Sequence, residues 1–251
     1  MKISIITAVF NNGNYIEDCI NSVLSQGHPD LEYIIADGGS TDGTLDIIKK
    51  YARRISKWTS GPDNGIYDAL NKGIKAATGD IVGFIHADDL YAHDKVITRV
   101  VSEMTQHNVD SCYGDLLYVD KNDTERIVRY WKSRPYEEGL FQRGWMPPHP
   151  TFFVRKEIYE RYGSFNTDFR IASDYELMLR FMEKEKISTC YIPEVLIKMR
   201  IGGASNRSLK NIAIKTLEDY KAWRVNHLPR KFYTIPFKNL SKILQFFKKS
   251  A

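Results

Sequence analysis

The 251-residue sequence has few cysteines and no long apolar run, and each shortage excludes a class of protein. Cys19, Cys112 and Cys190 lie far apart and form no CxxC pair, so we expect no disulfide framework and no zinc site. No apolar run approaches the ~18–20 residues that span a bilayer. The apolar residues 3–10 lead directly into a polar loop, which predicts a buried strand and not a signal peptide. We therefore expect a cytoplasmic protein.

Acidic residues are missing from the end of the chain. Of the 36 lysines and arginines eight lie after Asp219, whereas none of the 31 aspartates and glutamates does. The net charge of +5 is therefore concentrated in a basic tail that follows a slightly acidic body. This distribution predicts contact between the tail and an anionic surface, and it argues against a nucleic-acid-binding fold.

Two common nucleotide-binding motifs are missing as well. The sequence contains no GxxxxGK[ST], which excludes a P-loop, and no GxGxxG after the first predicted strand, which excludes the usual dinucleotide site. The loop after that strand, at residues 11–14, has no lysine or arginine. A nucleotidyltransferase would need a basic, glycine-rich loop there to hold a triphosphate, so that class remains only an alternative.

What is present is an alternation of apolar strands and amphipathic helices. Strand patterns at residues 3–10, 31–36 and 81–85 are separated by helical patterns at 15–25, 45–51 and 67–76. This alternation predicts βαβ units, and hence an α/β fold with a mainly parallel central sheet flanked by helices. In the second half we predict separate strands at 109–113, 116–119, 126–130, 151–154 and 187–192, the second and third forming a hairpin. We divide the chain into a domain at 1–227 and a basic amphipathic C-terminal tail at 228–251.

Polar residues follow three of the predicted strands, where ligands bind in open α/β sheets. Asp37 ends the second strand, and Asp88 and Asp89 follow the third. Adjacent carboxylates need solvent or a cation, and Mg²⁺ or Mn²⁺ would also bridge a diphosphate. Each feature alone has a simpler interpretation, because Asp37 suits a turn and an acidic pair suits the first turn of a helix.

Six segments of the chain occur together in one order and spacing. They are S-I-I-T-A-V-F-N-N at 4–12, I-I-A-D-G-G-S-T-D-G-T at 34–44, G-P-D-N-G-I-Y-D-A-L-N-K-G at 61–73, G-D-I-V-G-F-I-H-A-D-D at 79–89, H-P-T-F-F-V-R at 149–155 and S-D-Y-E-L-M-L-R at 173–180. With these segments the chain resembles the family 2 glycosyltransferases, which have the GT-A fold. The resemblance covers most of residues 1–200.

The resemblance implies roles for individual residues. A nucleotide-sugar donor would contact Thr7, Val9, Asn11, Asp37, Asn71 and Asp88. Among these, Asp37 is placed like the carboxylate that accepts a hydrogen bond from the base, which favours uracil or thymine. Asp88 and Asp89 match the motif that holds Mn²⁺ or Mg²⁺, and Asp174 is placed like the catalytic base of inverting members. An N-cap is the alternative role for Asp174.

The chain departs from the family pattern at two positions. His86 stands where many relatives have an acid, and we expect it to hydrogen-bond beside the metal rather than bind it. Leu70 stands where relatives often have arginine, which leaves Lys72 and Arg200 as candidates for a basic contact to the diphosphate. His149 is assigned either to the acceptor side or to the core, and the Gly202-Gly203 loop is expected to close over the donor.

The resemblance predicts an inverting, metal-dependent transfer of sugar. The alternatives are a sugar-nucleotide nucleotidyltransferase and a non-enzymatic nucleotide- or saccharide-binding module. The predicted donor is a UDP-sugar, and the acceptor is a saccharide or a polyprenyl-linked saccharide of cell-surface polysaccharide synthesis. No nucleic-acid partner is expected. A tail helix from Pro236 would place its apolar residues on the inner face of an anionic membrane and its basic residues on the adjoining polar face. The alternative is that this helix packs back on the domain with its lysines in water. The apolar residues are Phe237, Leu240, Ile243, Leu244 and Phe247, and the polar ones Lys238, Lys242, Gln245 and Lys249.

Overall fold

The computed structural model describes residues 1–202 and 209–238 of the chain. Within them nine strands form one sheet. They are β1 (Ile3–Val9), β2 (Leu31–Asp37), β3 (Lys57–Ser60), β4 (Ile81–Phe84), β5 (Leu90–Tyr91), β6 (Ser111–Val119), β7 (Ile127–Trp131), β8 (Phe153–Arg155) and β9 (Thr189–Arg200). Their order is β3-β2-β1-β4-β8-β6-β9-β5, with β7 paired to β6.

The first half of the sheet is parallel, as predicted. β2 pairs with β1 and β3, and β4 joins β1 on its other side. Strands are therefore added on both sides of β1. This arrangement leaves a crevice beyond the carboxyl ends of β1 and β4. Every residue of β1 is buried, as expected for a strand that is covered on both faces.

Helices cover both faces of the sheet. They are α1 (Ile16–Leu24), α2 (Thr44–Lys50), α3 (Ile66–Ala76), α4 (Val96–Gln106), α5 (Lys156–Tyr162), α6 (Ser173–Met178), which continues as a π-helical stretch (Leu179–Lys184), and α7 (Leu209–Val225). Alternate residues of β1 enter different cores because strand side chains alternate in direction. Ile5 packs in the core that includes α1 and α4, and Ile6 in the core that includes α3 and α6.

The second half differs from the prediction in three places. The strands predicted at 109–113 and 116–119 form one strand, β6 (Ser111–Val119), and the hairpin with β7 is confirmed. β9 continues to Arg200, whereas the prediction ended at 192. The register of β6 with β9 shifts between Tyr113 and Leu116, so an irregularity accommodates Pro193 within the strand. The short strand β5 was not predicted.

The chain after α7 packs back on the domain. Thr234 and Ile235 are buried, and the Lys238 ammonium lies 2.5 Å from the Asp219 carboxylate in the interior. The prediction that Lys238 lies on a solvent-facing polar surface is therefore wrong, because this cation has a buried partner on α7. The predicted tail residues from 239 onward and the loop at 203–208 lie outside the described residues. Every helix in the described part of the chain is too short or too polar to span a bilayer.

Candidate active site

A cavity of about 540 Å³ opens beyond the carboxyl ends of β1 and β4. We call it the strand-end cavity. Val9 and Phe10 line it from the end of β1, and His86 and Asp88 line it from the loop after β4. Since strand order reverses between β1 and β4, this is the position at which α/β sheets bind nucleotides.

Phe10 was not among the predicted site residues. Its side chain is 64% exposed at the lip of the strand-end cavity, although it directly follows a buried strand. A large exposed ring beside a nucleotide-sized opening offers a stacking surface. The signal in the sequence is weak, because Phe10 reads as one more apolar residue of β1.

Asp37 ends β2 beside a second opening of about 550 Å³. We call this opening the α3 groove, and it shares Asp63 and Ala69 with the strand-end cavity. The Asp37 carboxylate accepts hydrogen bonds from the hydroxyls of Ser40 and Ser60, each at 2.5 Å. These bonds fix the carboxylate in the wall of the groove, where Asp37 is only 4% exposed.

Asn11 joins the loops that follow β1 and β2. Its side-chain oxygen accepts the Thr41 N–H at 2.9 Å, and its own N–H donates to the Ser40 hydroxyl at 2.8 Å. Its φ of 48° lies in the left-handed region, which asparagine tolerates better than most residues. Asn11 therefore shapes the loop, and its neighbour Asn12 lines the strand-end cavity.

We predicted that Thr7 and Asn71 contact the donor. In the structure their side chains bond to other residues of the protein and support the site instead. Thr7 is fully buried, with its hydroxyl 3.1 Å from the Tyr33 hydroxyl. The Asn71 amide donates to the Phe165 carbonyl at 2.9 Å and accepts the Phe165 N–H at 3.0 Å. Phe165 stacks on Tyr67, a lining residue of the strand-end cavity, at 5.5 Å. Asn71 thus positions a wall of the cavity.

Asp88 and Asp89 have unlike environments although they are adjacent. Asp88 is half-buried and lines the strand-end cavity, whereas Asp89 is 1% exposed. Asp89 Oδ1 accepts the Arg200 N–H at 3.2 Å, and the buried Oδ2 has no hydrogen-bond partner. Burial and then repulsion by Asp88 raise the pKa of Asp89 well above its usual range. This carboxyl is stable as a neutral acid or as a ligand of a cation.

The two carboxylates fit a metal ion only together with a phosphate ligand. No group of three or more histidine, cysteine or acidic side chains that could hold an ion exists in residues 1–202 and 209–238. Mg²⁺ commonly takes one or two carboxylates and completes its coordination with water and substrate phosphates. The orphaned Asp89 Oδ2 and the cavity-facing Asp88 match that donor set.

The candidate basic contacts to a diphosphate are both engaged in ion pairs. The Arg200 guanidinium contacts Asp18 at 2.6 Å and donates to the Asp88 carbonyl at 2.8 Å. Lys72 contacts Asp68 at 3.0 Å and lines the α3 groove. Arg200 therefore holds the backbone of the loop that carries Asp88 in place. Lys72 lines the same groove as Asp37.

Asp174 lies where the strand-end cavity meets a third cavity of about 260 Å³. This hairpin cavity lies between the β6–β7 hairpin and α7. Asp174 is half-buried in the first turn of α6 and does not occupy the N-cap position, which is Ala172. Glu218 from α7 accepts the N–H groups of residues 170–172 instead. The capping alternative for Asp174 is therefore wrong.

His86 and His149 line both cavities beside Asp174. Their rings lie 5.6 Å apart, and His149 stacks against Phe84. Burial lowers the pKa of His149 to about 4, although the nearby Asp174 opposes this shift. His149 is thus neutral near pH 7. The His149 ring packs in the core and also lines the junction of the two cavities.

Comparison with known proteins agrees with this geometry. The profile of Glycosyl transferase family 2 matches residues 4–163. A PGL/p-HBAD biosynthesis glycosyltransferase of Mycobacterium bovis is 29% identical over 219 residues, which cover 85% of this chain and 83% of that protein.

Two solved structures share the fold. TarS 1-349 of S. aureus in complex with UDP-GlcNAc superposes with a TM-score of 0.69 at 18% identity, over 90% of this chain and 65% of that one. The mannosyltransferase PcManGT of Pyrobaculum calidifontis, in complex with GDP-Man and Mn²⁺, superposes with a TM-score of 0.64 at 17% identity, over 100% and 76%. The chain has the mixed α/β architecture of GT-A glycosyltransferases. With its profile match across most of the sheet, the chain belongs to glycosyl transferase family 2.

Proposed function

We propose that the chain transfers a sugar from a UDP-sugar to a hydroxyl of a saccharide or lipid-linked saccharide, with inversion at the anomeric carbon. The observation that carries this proposal is the position of Asp174 at the junction of the strand-end and hairpin cavities. A donor in the first cavity and an acceptor in the second would meet at this carboxylate. Asp174 would then remove the proton of the attacking hydroxyl while the bond to the diphosphate breaks.

The donor end of the proposal rests on the strand-end cavity and the adjoining α3 groove. Phe10 offers a ring to stack on the base, and Asp37 a carboxylate to accept the N3–H of uracil. Asp88 and Asp89 would hold Mg²⁺ or Mn²⁺ at the diphosphate. When bound, the metal would offset the negative charge that develops on the leaving group.

Replacing Asp174 with asparagine tests the proposal. The amide keeps the size of the side chain but cannot accept a proton, so transfer should fall roughly 10²–10⁴-fold while UDP affinity stays unchanged. The measurements are UDP binding by calorimetry and release of UDP from UDP-sugars in the presence of candidate saccharides. Asp168→Asn, on a nearby loop, is the matched control. Transfer by Asp174→Asn at the parental rate would show that another group is the base.

The location of the protein forms a further part of the proposal. A cytoplasmic protein whose basic tail binds the inner face of an anionic membrane would lie close to a lipid-linked acceptor. The structure changes which residues can contribute, because Lys238 is paired with Asp219 in the interior. The contact would therefore depend on Lys242, Lys248 and Lys249, together with the apolar residues between them.

A further inference from the structure

Arg170 is a cation of the strand-end cavity that none of the roles above includes. It is exposed and lies just before α6. Of the lysines and arginines in the described part of the chain, it is the one that lines this cavity. Lys72 and Arg200 are engaged in ion pairs, whereas no acid among residues 1–202 and 209–238 lies within ion-pair distance of Arg170. Its guanidinium is therefore available to a ligand.

The backbone at Arg170 is held by two helices. Glu218 of α7 accepts the Arg170 N–H at 2.7 Å, and it accepts the N–H groups of Ile171 and Ala172 at 2.8 Å each. From α3, the Tyr67 hydroxyl donates to the Ile171 carbonyl at 2.6 Å. Hydrogen bonds to an ionised carboxylate are stronger than those between neutral groups. The segment that carries the exposed cation is therefore fixed at its backbone.

Arg170 lies on the donor side of Asp174. Both residues line the strand-end cavity, as does Asp88. Asp174 also lines the hairpin cavity, and Arg170 does not. The proposed acceptor would approach Asp174 from the hairpin cavity, so Arg170 is placed toward the group that leaves and not toward the group that attacks.

A diphosphate in the strand-end cavity needs a cation besides the metal. Asp88 and Asp89 together would cancel the charge of a divalent ion, so the negative charge of the diphosphate would remain. Asp63 and Asp174 line the same cavity and would repel that charge. The charge on the leaving oxygen increases as the bond to the sugar breaks. Arginine suits this position, because its planar guanidinium can donate to two phosphate oxygens at once.

We propose that Arg170 binds the diphosphate of the donor and offsets the charge of the leaving group. As the acceptor oxygen bonds to the anomeric carbon, the electron pair of the broken bond stays on the phosphate oxygen and the acceptor proton passes to Asp174. Arg170 keeps its protons and donates hydrogen bonds to the diphosphate. One fixed segment thus supplies both the base and this cation. The inference rests on the proposed function, because it requires the UDP-sugar to occupy the strand-end cavity.

Replacing Arg170 with glutamine tests the inference by binding alone. With the full chain in Mg²⁺, the affinity for UDP should fall roughly 10–100-fold, the usual worth of hydrogen bonds to a charged group. The affinity for uridine, which has no phosphate, should stay unchanged. Arg170→Lys should retain part of the UDP affinity, since an ammonium keeps the charge but not the planar pair of donors. The measurements are calorimetry for UDP and ligand-observed NMR titration for uridine.

Two further variants assign the effect to Arg170. Arg161→Gln is the matched control, because Arg161 is an exposed arginine of α5 that does not line the strand-end cavity. It should change neither affinity. Arg207→Gln tests a cation of the loop at 203–208, which lies outside the described residues. A loss of UDP affinity in Arg207→Gln, with none in Arg170→Gln, would overturn the inference. So would an Arg170→Gln chain that loses uridine and UDP affinity equally.

Failure of the proposed function gives a different result. If the parental chain binds neither uridine nor UDP, the proposed donor is wrong, and the role of Arg170 is wrong with it. If the parental chain binds both and Arg170→Gln binds UDP at parental affinity, only the inference about Arg170 is overturned. A UDP-sugar donor would then still be supported.

Discussion

Asp89 shows how the interior changes the chemistry of a single side chain. Its Oδ2 is buried without a hydrogen-bond partner, and burial raises the pKa of the carboxyl well above its usual range. An ionised carboxylate in this position is unfavourable unless a cation neutralises it. The residue is therefore suited to ionise when a divalent metal binds, which would release a proton.

Replacing Asp89 with asparagine should remove the dependence of UDP binding on the metal. The amide resembles the neutral acid in shape, so the fold should be retained, but it is a poorer ligand for Mg²⁺ or Mn²⁺. Loss of a residue that only orients a metal ligand usually weakens metal affinity roughly 10–100-fold, so the loss of one ligand should weaken the metal-dependent part of UDP affinity by at least that factor. The measurement is calorimetric titration of UDP in Mn²⁺ and in EDTA.

Asp94→Asn provides the control for this titration, since Asp94 is an exposed acid only a few residues further along the chain. It should leave the difference between Mn²⁺ and EDTA unchanged. A parental chain that binds UDP equally well in both solutions would show that Asp89 has no metal role.

At the scale of elements, one buried carboxylate ties β1 and β2 to the turn before β4. Glu32 on β2 accepts hydrogen bonds from the Ser4 hydroxyl at 2.6 Å and the Thr78 N–H at 2.7 Å, and it lies 3.1 Å from the Lys57 ammonium. Burial alone would raise the pKa of Glu32, but these bonds outweigh it and lower the pKa to about 2. The cluster therefore fixes the strands whose ends form the site.

Glu32 should make the stability of the fold depend on pH in the acid range. Because its folded pKa is below its usual value of 4.5, its contribution is complete above that pH and is lost as the pH falls through about 2. Glu32→Gln should lower the free energy of unfolding by roughly 1.5–3 kcal/mol near pH 7, the usual worth of hydrogen bonds to a charged group. Its effect should shrink in more acidic solution.

Urea unfolding of the parental chain and of Glu32→Gln, at neutral pH and at about pH 3, measures this dependence. Glu157→Gln is the control, because Glu157 is an exposed residue of α5. This substitution should leave the free energy of unfolding unchanged at both pH values. A difference between the Glu32→Gln and parental chains that is as large in acid as at neutral pH would mean that packing, and not ionisation, is responsible.

At the scale of the whole molecule, the C-terminal region has two parts. Residues 234–238 pack on the domain, where Lys238 contacts Asp219 and lies 3.2 Å from the centroid of the Tyr175 ring. The residues after Lys238 carry three of the eight basic residues that follow Asp219. A chain that ends at Lys238 keeps these buried contacts and can therefore be used to test the proposed membrane contact.

A chain that ends at Lys238 should fold and bind UDP but should lose affinity for anionic vesicles. Each lysine near an anionic surface contributes about 1 kcal/mol, so the loss of three should lower partitioning roughly 100-fold. The measurement is co-sedimentation of both chains with phosphatidylglycerol vesicles and with phosphatidylcholine vesicles, at low and high salt. Equal partitioning of the two chains would exclude the tail as the membrane contact.

The sequence alone determined the alternation of strands and helices, the parallel first half of the sheet and the polar residues at its strand ends. These features depend on local periodicity and on the order of segments, both of which are visible in the chain. The tertiary structure decided the rest. It paired Asn71 with Phe165 and Lys238 with Asp219, and it brought Arg129 into the same cavity as Asp174. Such contacts join residues far apart in sequence, and local patterns do not specify which distant side chains meet.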